Sequence, residues 1–185
     1  MRKIIITFLI LIILVTAGFV WKNYFSTERI CCDLPSLTGP ATVDYKDAAY
    51  PIEGEVVRLI GGLAEKEEAP DSAAKLVTRY FGNEVNEDFN EDGFKDAAFF
   101  LTQEAGGSGT FFYGAVALGS AEGYLGTNAI FLGDRVSPQS VEWRDGQIIF
   151  NYADRAEGDP MTARTSVGVS RYFQIKSGQL EEVKK

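Results

Sequence analysis

The sequence predicts an α+β fold: a single antiparallel-rich β domain with one main helix at about residues 71–81, preceded by an N-terminal transmembrane helix. Three observations lead to this class. The chain opens with an uncharged apolar stretch, one later segment has helical spacing, and β-prone runs separated by turn sequences fill the rest. With 185 residues, of which 45% are hydrophobic, the chain can bury a core of ordinary domain size.

The first element is the apolar stretch from Ile4 to Trp21, which contains no charge and follows Arg2 and Lys3. Its residues would form a helix about 27 Å long, close to the apolar thickness of a bilayer. Basic residues precede this stretch and acidic residues dominate after it, which places the rest of the chain on the extracytoplasmic side. Residues 1–21 are therefore predicted to be a single-pass anchor in the cell membrane.

A cleaved signal segment is the alternative for the same residues. Val15-Thr16-Ala17 could serve as the cleavage site after an apolar run from Ile4 to Leu14, and the product would then be secreted. Residues 18–21 argue against cleavage, because they continue the apolar run past that point. Both alternatives export the domain.

Residues 22–42 are predicted to be a linker, because they contain two prolines and no hydrophobic periodicity. The only two cysteines of the chain, Cys31 and Cys32, are adjacent in this segment. Neighbouring cysteines rarely bridge each other, so two free thiols and a disulfide between two chains both stay open. The domain proper is predicted to span residues 43–185 and to fold without disulfides.

The helix is predicted from the segment "APDSAAKLVTRYFG". Asp71 or Ser72 can cap its start and Gly82 can end it. Its apolar positions recur at helical spacing, namely Ala73, Leu76, Val77 and Tyr80.

The strands are predicted from β-prone runs that meet at turn dipeptides. Gly61-Gly62, Asp145-Gly146 and Ser177-Gly178 each separate two such runs. These pairs favour tight hairpins, because their residues tolerate positive φ angles. The apolar runs on either side of "EAGGSG" are predicted to be two further strands.

Charge excludes one class of partner. The first thirty residues hold four basic and one acidic side chain, so 14 basic and 25 acidic side chains remain of the 18 and 26 in the whole chain, a net charge of −11. Such a surface repels phosphate backbones, so nucleic acid is not expected as a partner. The same surface suits divalent cations.

The most specific motif is "DFNEDGFKDA" at residues 88–97. Oxygen-bearing side chains stand at its offsets 1, 3, 5 and 9, with Gly93 at offset 6. Calcium takes six to eight oxygen ligands, and a tight turn at a glycine lets alternate side chains point inward together. The predicted ligands of a structural Ca²⁺ ion are Asp88, Asn90, Asp92, the Phe94 carbonyl and Asp96. The alternative is a polar turn without an ion, in which the aspartates bond to their own backbone.

This motif resembles the calcium loop shared by dockerins, integrin-type repeats and EF-hand proteins, over about ten residues. It departs from the EF-hand at offset 12, where Phe99 replaces a bidentate glutamate. The loss of two oxygens predicts the affinity of an extracellular module, with a dissociation constant of about 10⁻⁴ to 10⁻³ M.

A longer resemblance extends over residues 43–183, about three quarters of the chain. It rests on "GEVVRLIGGLAE", "RYFGNE", "DFNEDGFKDAAFFLTQEAGGSGTFFY" and "FLGDRVSPQS". The chain resembles a family of uncharacterised exported bacterial proteins. This resemblance implies an extracytoplasmic location and a fold, and it transfers no catalytic residue.

The chain contains no histidine, which excludes Ser-His-Asp catalysis and imidazole metal sites. The leading interpretation is therefore a non-enzymatic, membrane-anchored module that binds a protein or glycan ligand in the cell envelope. The alternative is a carboxylate-dependent hydrolase acting on cell-wall or polysaccharide material. Its acidic groups would come from a cleft around Asp134, Glu142 and Asp154, although salt bridges or turn caps also explain these residues.

Overall fold

A computed structural model of the chain describes residues 41–67 and 74–184. The predicted anchor, the linker up to residue 40, the two cysteines and the predicted helix cap at residues 71 and 72 lie outside these ranges. The described part contains one short 3-10 helix, Tyr45–Asp47, and twelve strands. The strands are β1 (Ala49–Ile52), β2 (Glu55–Arg58), β3 (Leu63–Glu67), β4 (Lys75–Glu87), β5 (Asp96–Ala105), β6 (Phe111–Ser120), β7 (Gly123–Gly126), β8 (Ile130–Asp134), β9 (Ser137–Arg144), β10 (Gln147–Asp154), β11 (Val167–Lys176) and β12 (Gln179–Glu182).

These strands form two sheets and a separate hairpin. The first sheet has the order β3-β4-β5-β6-β7, and β8 also pairs with β6. The second sheet has the order β12-β11-β10-β9, and β1 and β2 form the hairpin. Neighbouring strands pair antiparallel in all three. Most neighbours are consecutive along the chain, as expected where short turns connect antiparallel strands.

Strand β5 is buried on both faces, which defines three layers. Successive side chains of a strand point to opposite faces of its sheet. Ala98 and Phe100 lie in a core cluster with Phe150 and Phe173 of the second sheet. Their neighbours along β5 lie in a second cluster under the β1–β2 hairpin: Ala97, Phe99 and Leu101, packed with Tyr50 and Ile52. The six-stranded sheet is therefore the middle layer between the four-stranded sheet and the hairpin.

The prediction of an α+β domain with a main helix at residues 71–81 is wrong, because residues 75–81 of this segment belong to strand β4. Strand β4 pairs with β3 on one side and β5 on the other. Thr78 is buried and Arg79 is exposed, and Tyr80 packs against the cluster under the hairpin, called the hairpin-side core below. Burial therefore alternates with a period of two. The β-branched and aromatic residues of the segment also suit a strand, and pairing on both sides overrides the helical spacing of the apolar positions.

The three predicted tight turns are confirmed. Asp145 and Gly146 have φ angles of 53° and 71°, and Arg144 pairs with Gln147 across the turn. Ser177-Gly178 and Gly61-Gly62 also have positive φ at both residues. Positive φ at both central residues gives the backbone twist that matches the right-handed twist of the strands.

Candidate functional site

The segment at residues 88–95, called the acidic loop below, connects β4 to β5, and hydrogen bonds from its own side chains hold it in a turn. The carboxylate of Asp88 accepts hydrogen bonds from the backbone N–H groups of Asp92 at 3.1 Å and Gly93 at 2.8 Å. The Asn90 side-chain oxygen also accepts the Asp92 N–H, and Asp92 accepts the Phe94 N–H at 2.9 Å. Gly93 has a φ of 90°, which a residue with a Cβ adopts only with strain. These bonds bring Asp88, Asn90 and Asp92 together in one curled turn.

Asp96 lies beneath this turn and is fully buried. Its carboxylate accepts the backbone N–H groups of Phe89 and Gly119, each at 2.8 Å. Burial raises the pKa of the Asp96 carboxyl above its usual value, against the opposing effect of these two bonds, and the charges of Asp92 and Asp88 raise it further. Two of the predicted ligands, Asp88 and Asp92, are therefore close enough to Asp96 for their charges to act on it.

Gly119 is a residue of this site that sequence analysis did not identify. It lies near the end of β6, and its N–H fixes Asp96 from across the sheet. A Cβ at this position would overlap the carbonyl oxygen of Lys95. The acidic loop can approach β6 this closely because the residue is a glycine.

The loop fits a hard cation in its donor chemistry. Carboxylate and amide oxygens are the ligands that Ca²⁺ prefers, and an oxygen that accepts one N–H keeps a second lone pair. Asp88, Asn90 and Asp92 are brought together, Asp96 lies within reach of the charges of Asp88 and Asp92, and Phe94, whose carbonyl is the fifth predicted ligand, is an exposed residue of the same turn. Among residues 41–67 and 74–184, no group of three Asp, Glu, His or Cys side chains forms a ready-made metal site.

The carboxylates proposed for a hydrolytic cleft are engaged in other contacts. Asp134 forms an ion pair with Arg135 at 3.0 Å and accepts the Thr110 N–H. Asp154 accepts the N–H of Arg155 at 2.7 Å. The Arg155 side chain, which is 10% exposed, donates to the carbonyl oxygens of Asp134, Arg135 and Ala163. This cluster therefore holds the loop after β10 against the turn after β8.

Glu142 lies apart from that cluster. It accepts hydrogen bonds from Asn151 at 2.8 Å and from Ser140 at 3.1 Å, on one face of the second sheet. Along β9 it stands five residues beyond Ser137, which pairs with Ala153. Five residues of strand span about 17 Å, so the three acidic groups do not form one cleft.

A second titratable cluster ties the 3-10 helix to β4. Glu84 accepts hydrogen bonds from the hydroxyls of Tyr45, at 2.6 Å, and Tyr80. The bond from Tyr45 and then that from Tyr80 hold the pKa of the Glu84 carboxyl below its usual value of 4.5. The ammonium of Lys46 lies 4.6 Å from the centroid of the Tyr80 ring. This arrangement stabilises the ionised form of Glu84 in the folded state.

We expect Glu84→Gln to lower the free energy of unfolding by about 0.5–1 kcal/mol at pH 7, since the hydroxyls of Tyr45 and Tyr80 both lose a charged acceptor at an exposed site that solvent screens. The pKa of Glu84 is lowered in the folded state. Its contribution is therefore present above the unfolded value of 4.5 and is lost as the pH falls through the folded value. Urea unfolding at pH 7 and pH 3 measures the difference, which should shrink at the lower pH. Glu87→Gln, the same charge change on the same strand, is the control, and an equal loss at both pH values would contradict the prediction.

Comparisons of the chain with protein-family models, with curated proteins and with solved structures found no match. The resemblances to exported bacterial proteins and to calcium loops therefore stay predictions. In the part of the chain that the structure describes, no helix is long and apolar enough to cross a membrane. The predicted anchor at residues 4–21 lies outside that part.

Proposed function

We propose that this chain is a non-enzymatic binding domain of the cell envelope, anchored in the membrane by residues 1–21, with a structural Ca²⁺ ion in its acidic loop. The observation that carries the proposal is the curl of that loop. Hydrogen bonds gather the oxygens of Asp88, Asn90 and Asp92 in one turn, and the buried Asp96 accepts the N–H of Phe89 in the same loop, within reach of the charges of Asp88 and Asp92. The extracytoplasmic location rests on the predicted anchor.

Electrostatics support the cation. The charges of Asp92 and Asp88 both raise the pKa of Asp96, so they oppose its ionisation in the folded state. A divalent ion bound among them would replace this repulsion by attraction and would favour the ionised form of Asp96. Asp88, Asn90, Asp92, Asp96 and the Phe94 carbonyl would hold the ion. Its role would be to fix the connection between β4 and β5.

The contacts of the other carboxylates favour a binding domain over the hydrolase. Retaining and inverting glycosidases need two carboxyl groups about 5–10 Å apart that flank one bond of the substrate. Asp134 is held by Arg135, and Glu142 lies on a different part of the second sheet. Asp154 is bound to Arg155, whose side chain also holds the Asp134 carbonyl oxygen, so all three carboxylates serve structural contacts.

The direct test is calorimetric titration of the full-length chain with Ca²⁺. We expect uptake of one ion with a dissociation constant of about 10⁻⁴ to 10⁻³ M. Mg²⁺ should bind more weakly, because it requires near-ideal octahedral geometry and gives up its water reluctantly. A concentration of about 10 mM lies above the dissociation constants of extracellular calcium modules. If no Ca²⁺ is taken up by that concentration, the loop is only a turn.

A further inference from the structure

A continuous groove follows the β1–β2 hairpin from the β3 edge of the first sheet toward β6 and β8. It consists of three adjoining cavities of about 440, 340 and 270 Å³. The first two share Glu55 and Lys66, the last two share Glu53 and Gln103, and Leu76 lines all three. The first and second cavities each have a volume within the usual range of ligand pockets, about 300–1,000 Å³.

Two strand edges line the first cavity. Within the described residues, β2 pairs with β1 alone and β3 pairs with β4 alone, so each leaves one edge unpaired. Residues 55–58 of β2 and 64–66 of β3 all line this cavity. The two strands leave a common turn, closed by backbone bonds of 2.8 and 3.2 Å between Ile60 and Leu63. They then run on without pairing, and an unpaired edge is a template for another extended chain.

The register of the hairpin shows which backbone groups face the groove. Ile52 pairs with Glu55 across a two-residue turn, so this pair exchanges hydrogen bonds and the next pair along, at Val56, does not. The bond from the Leu59 N–H to the Ala48 carbonyl, at 3.0 Å, follows the same alternation. The N–H and C=O groups of Val56 and Arg58 therefore point away from β1, toward the groove.

The groove has an apolar floor and an acidic rim. Val57, Ala64 and Leu76 line the first cavity, and aromatic rings line the third, namely Phe111, Tyr113 and Phe131. The charged lining residues are four acidic and two basic: Glu53, Glu55, Glu65, Glu67, Arg58 and Lys66. Glu55 is paired with Lys66 at 2.6 Å, and Glu65 with Lys75 at 2.8 Å. Glu53 and Glu67 then remain in the second cavity and Arg58 in the first, a net charge of −1, and Glu53 also accepts a hydrogen bond from the Tyr113 hydroxyl at 3.1 Å. The negative charge is therefore local to the second cavity.

We propose that this groove binds an extended cationic segment of a partner protein, which adds a strand along β2 and β3. Main-chain hydrogen bonds to both edges would give affinity, apolar side chains would face Val57 and Leu76, and basic side chains would face Glu53 and Glu67. The inference rests on the proposed function in taking the domain as a binding module. It does not depend on the calcium loop, which lines none of the three cavities.

The test uses fluorescence anisotropy of labelled eight-residue peptides with the full-length chain, in the presence of Ca²⁺ and again with a chelator. A peptide of alternating lysine and valine should bind, and its glutamate–valine counterpart should bind at least tenfold more weakly. N-methylation of two central amides of the lysine peptide should also weaken binding at least tenfold, since it removes backbone donors while keeping the charge. Binding should be the same with and without Ca²⁺, so a failure here is separate from a failure of the calcium proposal.

A pair of matched variants locates the site. Val56→Lys places a cation at the groove and should weaken binding of the lysine peptide at least tenfold. Val167→Lys makes the same charge change at a valine of similar exposure, 43% against 48%, and should leave binding unchanged. Equal effects of the two variants, or equal binding of the N-methylated peptide, would mean general charge attraction and would overturn the inference. A concentration-dependent dimer that binds no peptide would overturn it in favour of a second copy of this chain.

Discussion

Replacing Phe99 with alanine should lower the free energy of unfolding by about 3–5 kcal/mol, the cost of a large cavity in a well-packed core. The Phe99 side chain is fully buried. Its ring lies 5.6 Å from that of Tyr50 in an edge-to-face contact, and 5.2 Å from that of Tyr80. The substitution removes the largest of the β5 side chains that pack under the hairpin, the others being Ala97 and Leu101, so the hairpin-side core would lose an aromatic ring from its sheet side.

Phe100→Ala is the matched comparison, because Phe100 is the next residue of the same strand, is also fully buried, and faces the second sheet. Urea unfolding of both variants should give losses of similar size. Phe131→Ala, at a half-exposed ring, should cost less than either. A small loss at Phe99 with a large loss at Phe100 would show that the hairpin only rests on the sheet and that the fold has two layers.

The sequence predicts the turns of this fold better than its layers. A turn such as Asp145-Gly146 depends only on the φ angles of two adjacent residues. Because both residue types tolerate a positive φ, the dipeptide itself predicts the turn. The prediction of a helix at residues 71–81 is wrong because the positions of Val77 and Tyr80 fit a strand as well as a helical spacing. The choice is made by β3 and β5, which pair with the segment from both sides. Such pairing partners are not visible in a window of local sequence.

The candidate site also has one part that the local sequence predicts and another that depends on strand pairing. The spacing of Asp88, Asn90 and Asp92 around Gly93 is local, and the structure gathers these residues in one turn. The contact of Asp96 with Gly119 joins positions 23 residues apart, and it follows from the pairing of β5 with β6. The groove between β2 and β3 depends on which edges stay unpaired, a property of the sheet order that no single segment carries.

Removal of calcium should lower the stability of the protein by an amount set by mass action. An ion that binds only the native state adds about 2.7 kcal/mol when its concentration is a hundredfold above the dissociation constant, and about 1.4 kcal/mol at tenfold. At about 10 mM Ca²⁺ these values correspond to dissociation constants of about 10⁻⁴ and 10⁻³ M. Chelation should therefore lower the melting temperature by several degrees, measured by thermal unfolding with and without the ion.

Asp92→Ala should abolish this response, because Asp92 is a predicted ligand at the centre of the turn. The variant should stay folded and lose at most about 1 kcal/mol without calcium, since the Phe94 N–H and the Asn90 amide lose their acceptor while the repulsion between Asp92 and Asp96 is relieved. Glu91→Ala is the control: it removes the same charge from the same loop at a residue outside the ligand set, and it should keep the calcium response. A full response in Asp92→Ala would place the ion elsewhere on the acidic surface. Loss of the response in both variants would mean that the total charge of the loop, and not the geometry of its oxygens, attracts the ion.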